Sequence, residues 1–309
     1  MPDGLSLAGR IQPKAGAVAL RLEVPPEPQI TLLREASGGD TVADVVEHTE
    51  AGEIFARKQL GKPKYEDFSV SVGSVMSPQL FDWIAESWRE SPPHRDGAIL
   101  QCDYKFSVKV ERPFQGALIA ETAFPALDAA SKQPGFMELR FAAAAVLPDE
   151  KPLTPLAVPL GKPSVQKLWM TSLFKLQLSG LDCSHVMRIE PFSILRKIDT
   201  VTDAGGGVGL IAGSVEFPNF RVSISAAHAQ SWVDWHEDFV VKGNNTAPFE
   251  KSGSISLLNV ALDELTRLEL NGVGIFRLVT EKPDRVESIP RVIADLYCEQ
   301  MSLLPGGGP

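Results

Sequence analysis

Cysteine is scarce: three in 309 residues, at Cys102, Cys183 and Cys298, with no CxxC pair among them. That number and spacing exclude a disulfide framework and a zinc knuckle, leaving three free thiols of a reducing compartment. Long apolar runs are missing too. The longest, Phe141 to Leu147, is far short of the roughly 20 residues a membrane-spanning helix needs. Met1-Pro2-Asp3-Gly4 carries no basic segment before an apolar one, so no secretory leader is expected. The Asn244-Asn245-Thr246 sequon is therefore read as chance. Basic residues do not dominate: 30 Lys and Arg against 39 Asp and Glu give a net charge of −9, which lacks the footprint of a free nucleic-acid binder.

Catalytic signatures are absent in the same way. There is no P-loop, no GxSxG elbow and no HExxH, and the five histidines are thinly spread. Gly207-Val208-Gly209-Leu210-Ile211-Ala212 has the spacing of a dinucleotide turn. A β-type run from Val215 to Ile224 follows it, however, where pyrophosphate binding requires a helix N-terminus. Cys183 and His185 sit two apart but lack an orienting third group. His228, Asp234, His236 and Asp238 cluster on an expected helix, with the two histidines eight apart, too far for one ion. No catalytic, cofactor-binding or metal-binding residue is assigned, and the chain is expected not to be an enzyme.

What is present is material for two β-rich domains. Hydrophobic residues reach 44%, and 25 glycines with 24 prolines favour many short strands. Prolines at 152, 155, 159 and 163 mark an extended linker. The expected division is a domain over 1–150, a linker over 151–164, a second domain over 165–305 and a frayed tail over 306–309.

The two halves match each other. At a constant offset of 152 residues, Tyr65 meets Phe217, Phe68 meets Phe220, Val70 meets Val222, Val72 meets Ile224 and Trp83 meets Trp235. Gly97-Ala98-Ile99 then matches Gly253-Ser254-Ile255 after four extra residues. The sequence reads as a tandem duplication. Within each half, Phe68, Val70 and Val72, or Phe220, Val222 and Ile224, alternate with polar residues, the period of a half-buried strand. Ser77 caps a helix with Pro78 at its first position. Leu80, Trp83, Ile84 and Trp88 form that helix's inner face, and Trp232, Trp235, Phe239 and Val240 form its counterpart's. Further strands are expected at Val18 to Val24, Phe106 to Val110, Met137 to Phe141, Phe174 to Leu178 and Tyr297 to Leu303. The fold class is mainly β (α+β): two antiparallel barrels or sandwiches, each flanked by one amphipathic helix.

Lys64-Tyr65-Glu66-Asp67-Phe68-Ser69-Val70 followed by Met76-Ser77-Pro78-Gln79-Leu80-Phe81-Asp82-Trp83-Ile84 resembles the tail tube protein family of contractile-tailed phages and related injection systems. Phe124-Pro125-Ala126-Leu127-Asp128-Ala129-Ala130-Ser131-Lys132 resembles a segment common in that group, and Val215 to Phe220 and Gly253 to Leu258 echo the pattern. The resemblance implies tail-tube-like domains that form hexameric rings stacked into a hollow tube. Its implied partners are copies of itself and tube, sheath, baseplate or hub proteins, with DNA or protein cargo in the lumen. Assembly in the cytoplasm and residence in a tail or injection particle follow from it, without membrane binding by the chain itself and without a cofactor. The usual family chain has one such domain. Two per chain imply that three chains make a pseudo-hexamer, as a tube subunit or as an initiator, hub or adaptor. Lys105, Lys109 and Arg221, on expected polar strand faces, give a mixed lumen lining. The competing reading is a barrel that binds a small molecule.

Overall fold

A computed structural model describes residues 16–49, 55–73, 76–150, 169–202, 208–281 and 290–306. The expected linker over 151–164, Gly207 and the last three residues lie outside the described residues. The fold is mainly β with antiparallel sheets, as the alternating pattern predicts.

The first half runs β1 (Val18–Leu22), β2 (Gln29–Leu33), β3 (Glu35–Ser37), β4 (Thr41–His48), β5 (Arg57–Tyr65), β6 (Phe68–Val72), α1 (Pro78–Ser87), β7 (Arg95–Cys102), β8 (Val108–Phe124), β9 (Leu127–Asp128), β10 (Met137–Ala142) and β11 (Ala145–Val146). The second runs β12 (Phe174–Leu178), β13 (Val186–Ile189), β14 (Phe192–Thr202), β15 (Val208–Glu216), β16 (Phe220–Ser225), α2 (Gln230–His236), β17 (Lys251–Leu258), β18 (Glu264–Glu281) and β19 (Arg291–Pro305).

The strands pair in one order in both halves. The first follows β1-β7-β8-β10-β6-β3 and the second β12-β17-β18-β19-β16-β13. The registers agree residue by residue. Leu22 lies opposite Gly97 as Leu178 lies opposite Gly253. Phe141 lies opposite Phe68 as Leu296 lies opposite Phe220. Both ladders carry a bulge at the same place: Ala120 is the extra residue between Ile119 and Glu121, and Phe276 between Ile275 and Arg277. Both matched glycines are required by close approach. A Cβ on Gly97 would stand 2.3 Å from the Arg21 carbonyl oxygen, and one on Gly253 would stand 1.9 Å from that of Gln177.

Each helix covers its sheet through aromatic residues. Ser77 Oγ accepts a hydrogen bond from the Leu80 amide at 3.3 Å and Pro78 opens α1, so the start follows the sequence. Trp83 stands edge-on to Phe141 at 5.4 Å, and Phe141 stacks on Phe68 at 5.0 Å. In the second half Trp232, Trp235 and Phe239 form a chain of rings with centroids 6.2 and 5.9 Å apart. One continuous core runs through both halves. Each ring buried in it stabilises by about 1.5–3 kcal/mol relative to exposure.

Several local expectations are corrected. Phe106 is not in a strand: it takes φ 60° in a turn before β8. Asp103 makes that turn by accepting hydrogen bonds from the Lys105 and Ser107 amides at 2.8 and 2.9 Å, which overrides the alternation. Lys105 therefore sits in the turn, not on a strand face. Val215 to Ile224 is two strands joined at residues 217–219. Val240 points outward at 41% exposure, because α2 passes into a π-helical turn at Glu237–Val241 that shifts the inward face.

The halves differ at one edge. In the first, β2 pairs with β1 and the chain passes directly into β3 on β6, with the Arg34 amide donating to the Ser71 carbonyl, so β2 and β3 bridge the two ends of the sheet. In the second, β12 pairs only with β17 among the described residues. An open groove of about 430 Å³ remains beside β12, lined by Phe174, Leu176, Leu178, Leu181, Cys183 and Val186.

Candidate assembly interface

The residues singled out for chemistry do not converge on a reaction centre. Burial raises the Cys183 thiol above its ordinary pKa, the opposite of what a thiolate nucleophile needs. His185 stacks on His228, ring centroids 3.4 Å apart. His228 lies in a short 3₁₀ turn (Ala226–His228) before α2, not on the helix; Asp234 and His236 lie on α2 and Asp238 in the π-helical turn. Among the described residues no three His, Cys, Asp or Glu side chains gather as metal ligands. No helix among them is long and apolar enough to cross a membrane.

The notable geometry is the junction between the halves. It is a β-ladder: β14 of the second half adds antiparallel to the outer edge of β8 in the first. Phe192 lies opposite Phe124, Ser193 opposite Ala123, Ile194 opposite Thr122 and Leu195 opposite Glu121. Main-chain hydrogen bonds across such an edge provide attachment, and the side chains on either face set the register. Phe124 and Phe192 stack across it at 5.1 Å with an interplanar angle of 19°.

Beside the ladder, Arg196 is 6% exposed. Its guanidinium donates to the carbonyls of Ser87 at 2.8 Å, Gly213 at 2.6 Å and Arg89. Ser87 ends α1, so the cation also meets the negative end of that helix. Burial lowers its pKa from the ordinary arginine value, yet an arginine keeps its charge at neutral pH. His94 Nε2 donates to the Leu210 carbonyl at 2.9 Å, which fixes the tautomer because a carbonyl only accepts.

A second, short ladder reinforces the junction. β9 pairs with β13, Asp128 opposite Arg188 and Leu127 opposite Ile189. Arg188 bonds Asp128 at 2.8 Å and Glu190 at 2.8 Å. The Ala130 backbone amide, followed by Arg188, holds the Asp128 carboxyl below the usual carboxylate range. The Phe124 to Lys132 segment thus supplies β9 of the short ladder and, at Phe124, the end of the β8–β14 ladder. Sequence reasoning singled out that segment but missed the strand-on-strand junction. Arg196 directly after Phe192-Ser193-Ile194-Leu195, where Ile194 and Leu195 are both aliphatic, was the available signal.

Two edges mirror this junction and face outward. The β4–β5 hairpin, Thr41 opposite Tyr65 through His48 opposite Arg57, pairs with no further strand among the described residues. Its Val45, Val46, Phe55 and Leu60 side chains are exposed. The end of β18, Phe276 to Glu281, pairs among the described residues with β19 on one side only. The expected cationic faces are largely neutralised: Lys109 bonds Asp103 at 3.0 Å, and Arg221 bonds Asp295 at 2.6 Å.

No family model matches the sequence, and no curated protein matches it. Among solved structures, the chain is similar to a chain of the anti-feeding prophage baseplate, with 18% identity, 51% of this chain and 100% of that chain covered, and a TM-score of 0.37. It is similar to a chain of the sheath–tube complex of an extracellular contractile injection system, PVC, with 16% identity, coverage of 46% and 93%, and a TM-score of 0.37. It is similar to Hcp1 from Flavobacterium johnsoniae, with 12% identity, coverage of 43% and 96%, and a TM-score of 0.27. At such scores the likeness adds no weight to the functional argument.

Proposed function

We propose that this chain is a non-enzymatic structural protein of a phage tail or phage-derived contractile injection particle. In this reading it is a tandem duplication of one tube-like domain, and its chains close into rings. The observation that carries the reading is the β8–β14 ladder, which joins two sheets of identical strand order head to tail. A head-to-tail contact between like units is heterologous, and repetition closes it into a ring or extends it into a filament. Three chains of two units give a pseudo-hexamer, able to meet a sixfold tube on one face and a threefold hub on the other. The sequence resemblance to tail tube proteins supplies the particle, its other tube, sheath, baseplate or hub components, and assembly in the cytoplasm. Divergence between the halves favours an initiator or adaptor over a repeated tube subunit.

One chain weighs 33.5 kDa, so a closed trimer weighs about 100 kDa. Solution mass combined with negative-stain images tests the reading. Hollow rings of that mass are expected. A uniform monomer at high concentration overturns it and directs attention to the groove beside β12 as a small-molecule site, the second reading.

A further inference from the structure

The junction inside the chain specifies the junction between chains. We propose that β4 of one chain adds antiparallel to the outer edge of β18 in a second copy, with Val42 opposite Arg277 and Thr41 opposite Leu278. This rests on the ring reading above and deepens it.

The register comes from ladder positions. Leu195 pairs with Glu216 on β15, and Val42 pairs with Lys64 on β5. Glu216 and Lys64 are equivalent through the shared Phe217/Tyr65 offset. Glu121 pairs with Arg140 just past the bulge, and Arg277 pairs with Asp295 just past the matching bulge. The contact of Leu195 with Glu121 therefore translates into Val42 on Arg277.

The side chains at these edges fit the translation. Within the chain, Arg196 and Ala120 line one crevice with Trp88 and Val215. At the outer edges the large and small partners exchange: Ala43 stands at the place of Arg196 and Phe276 at the place of Ala120. Ile194 opposite Thr122 becomes Thr41 opposite Leu278, again an aliphatic residue facing a threonine with sides swapped. A β-branched hydroxyl facing an aliphatic side chain is a compatible cross-strand pair.

Exposure agrees. Ala120 and Trp88, covered by the internal junction, are 5% and 8% exposed, whereas their counterparts Phe276 and Val240 are 46% and 41% exposed. The hairpin that would cover them exposes Val45, Val46 and Leu60. Apolar side chains left open at two complementary edges are what an unassembled subunit presents.

Cysteine cross-linking tests the register. In a Cys183→Ser background, Thr41→Cys and Leu278→Cys are combined and the protein is oxidised at native concentration. Most of the monomer band on a non-reducing gel is expected to convert into dimer and trimer bands that reduction collapses. Each single variant is expected to stay monomeric on that gel. Thr122→Cys with Ile194→Cys, the equivalent pair inside one chain, calibrates whether this register accepts a disulfide. If the calibrating pair closes and native mass shows rings, but the double variant gives no ladder, the proposed register is overturned and the ring reading stands. If Thr41→Cys alone cross-links, two β4 edges meet and both fall. If native mass shows only monomer, the ring reading itself fails and the proposal with it.

Discussion

The two halves share a backbone plan and diverge on the surfaces that would meet other chains. Strand order, register, the bulge and the strand-pinned glycines Gly97 and Gly253 coincide. Inside the first half the bulged residue is a buried Ala120; inside the second it is an exposed Phe276. The ion pair across the bulge survives with its signs reversed. Arg140 sits between Glu121 and Asp67, at 3.3 and 2.6 Å, whereas Asp295 sits between Arg277 and Arg221, at 3.1 and 2.6 Å. Backbone geometry constrains a repeated fold more tightly than charge does, because either sign pattern satisfies the same pair of neighbouring strands. Among the described residues no strand stands beside β12 as β2 stands beside β1, and the groove beside β12 is open there.

The comparison breaks most visibly at the glycines. Gly97→Val and Gly253→Val each drive a side chain into a neighbouring strand's carbonyl, and each is expected to cost about 3 kcal/mol or to prevent folding. Denaturant unfolding of both variants checks this. A large loss in one half only would end the equivalence of the halves.

Arg196→Met comes next. It strands the carbonyls of Ser87, Arg89 and Gly213 at the internal junction. A loss of about 2–3 kcal/mol is expected. The positional counterpart, Ala43→Ser, is expected to change stability by less than about 0.5 kcal/mol, since its edge faces solvent in the isolated chain.

The reversed ion pair gives a smaller, pH-dependent effect. Arg221 and then Arg277 hold the Asp295 carboxyl below the usual carboxylate range. A depressed carboxylate contributes stability at pH values above its unfolded pKa, and that contribution is lost as pH falls through the lower folded pKa. Asp295→Asn is therefore expected to cost about 1 kcal/mol at pH 7. The difference from the parent chain should shrink below about pH 4, where the parent loses the same contribution. Melting curves across that window read it directly, and a gap that stayed constant down to low pH would remove Asp295 from the explanation.

Val46→Lys on the free hairpin has the smallest expected effect on the isolated chain, within about 0.5 kcal/mol. Ring mass is where it is expected to act. Loss of rings with an unchanged melting temperature would tie the hairpin to assembly, and intact rings would free it from that role.

Much of this plan was legible in the sequence because a period of two and a capped, tryptophan-bearing helix leave strong local marks. Phe68, Val70 and Val72 are fully buried, and Ser77 caps α1 where the pattern placed it. Phe106 was not legible, because the Asp103 side chain outcompetes alternation for the local backbone. Val240 was not, because a π-helical turn advances the helix face by one residue. The internal junction escaped for another reason: edge pairing between distant segments depends on which backbone groups remain unpaired, and no periodicity records that.

The most direct test of tandem ring closure is a cryo-electron microscopy reconstruction of the assembled chain. Closure predicts six similar junctions around one ring, alternating the β8–β14 ladder within a chain and a β18–β4 ladder between chains, so that strict symmetry is threefold and apparent symmetry sixfold. A twofold dimer in which like edges meet, β4 against β4, would contradict it.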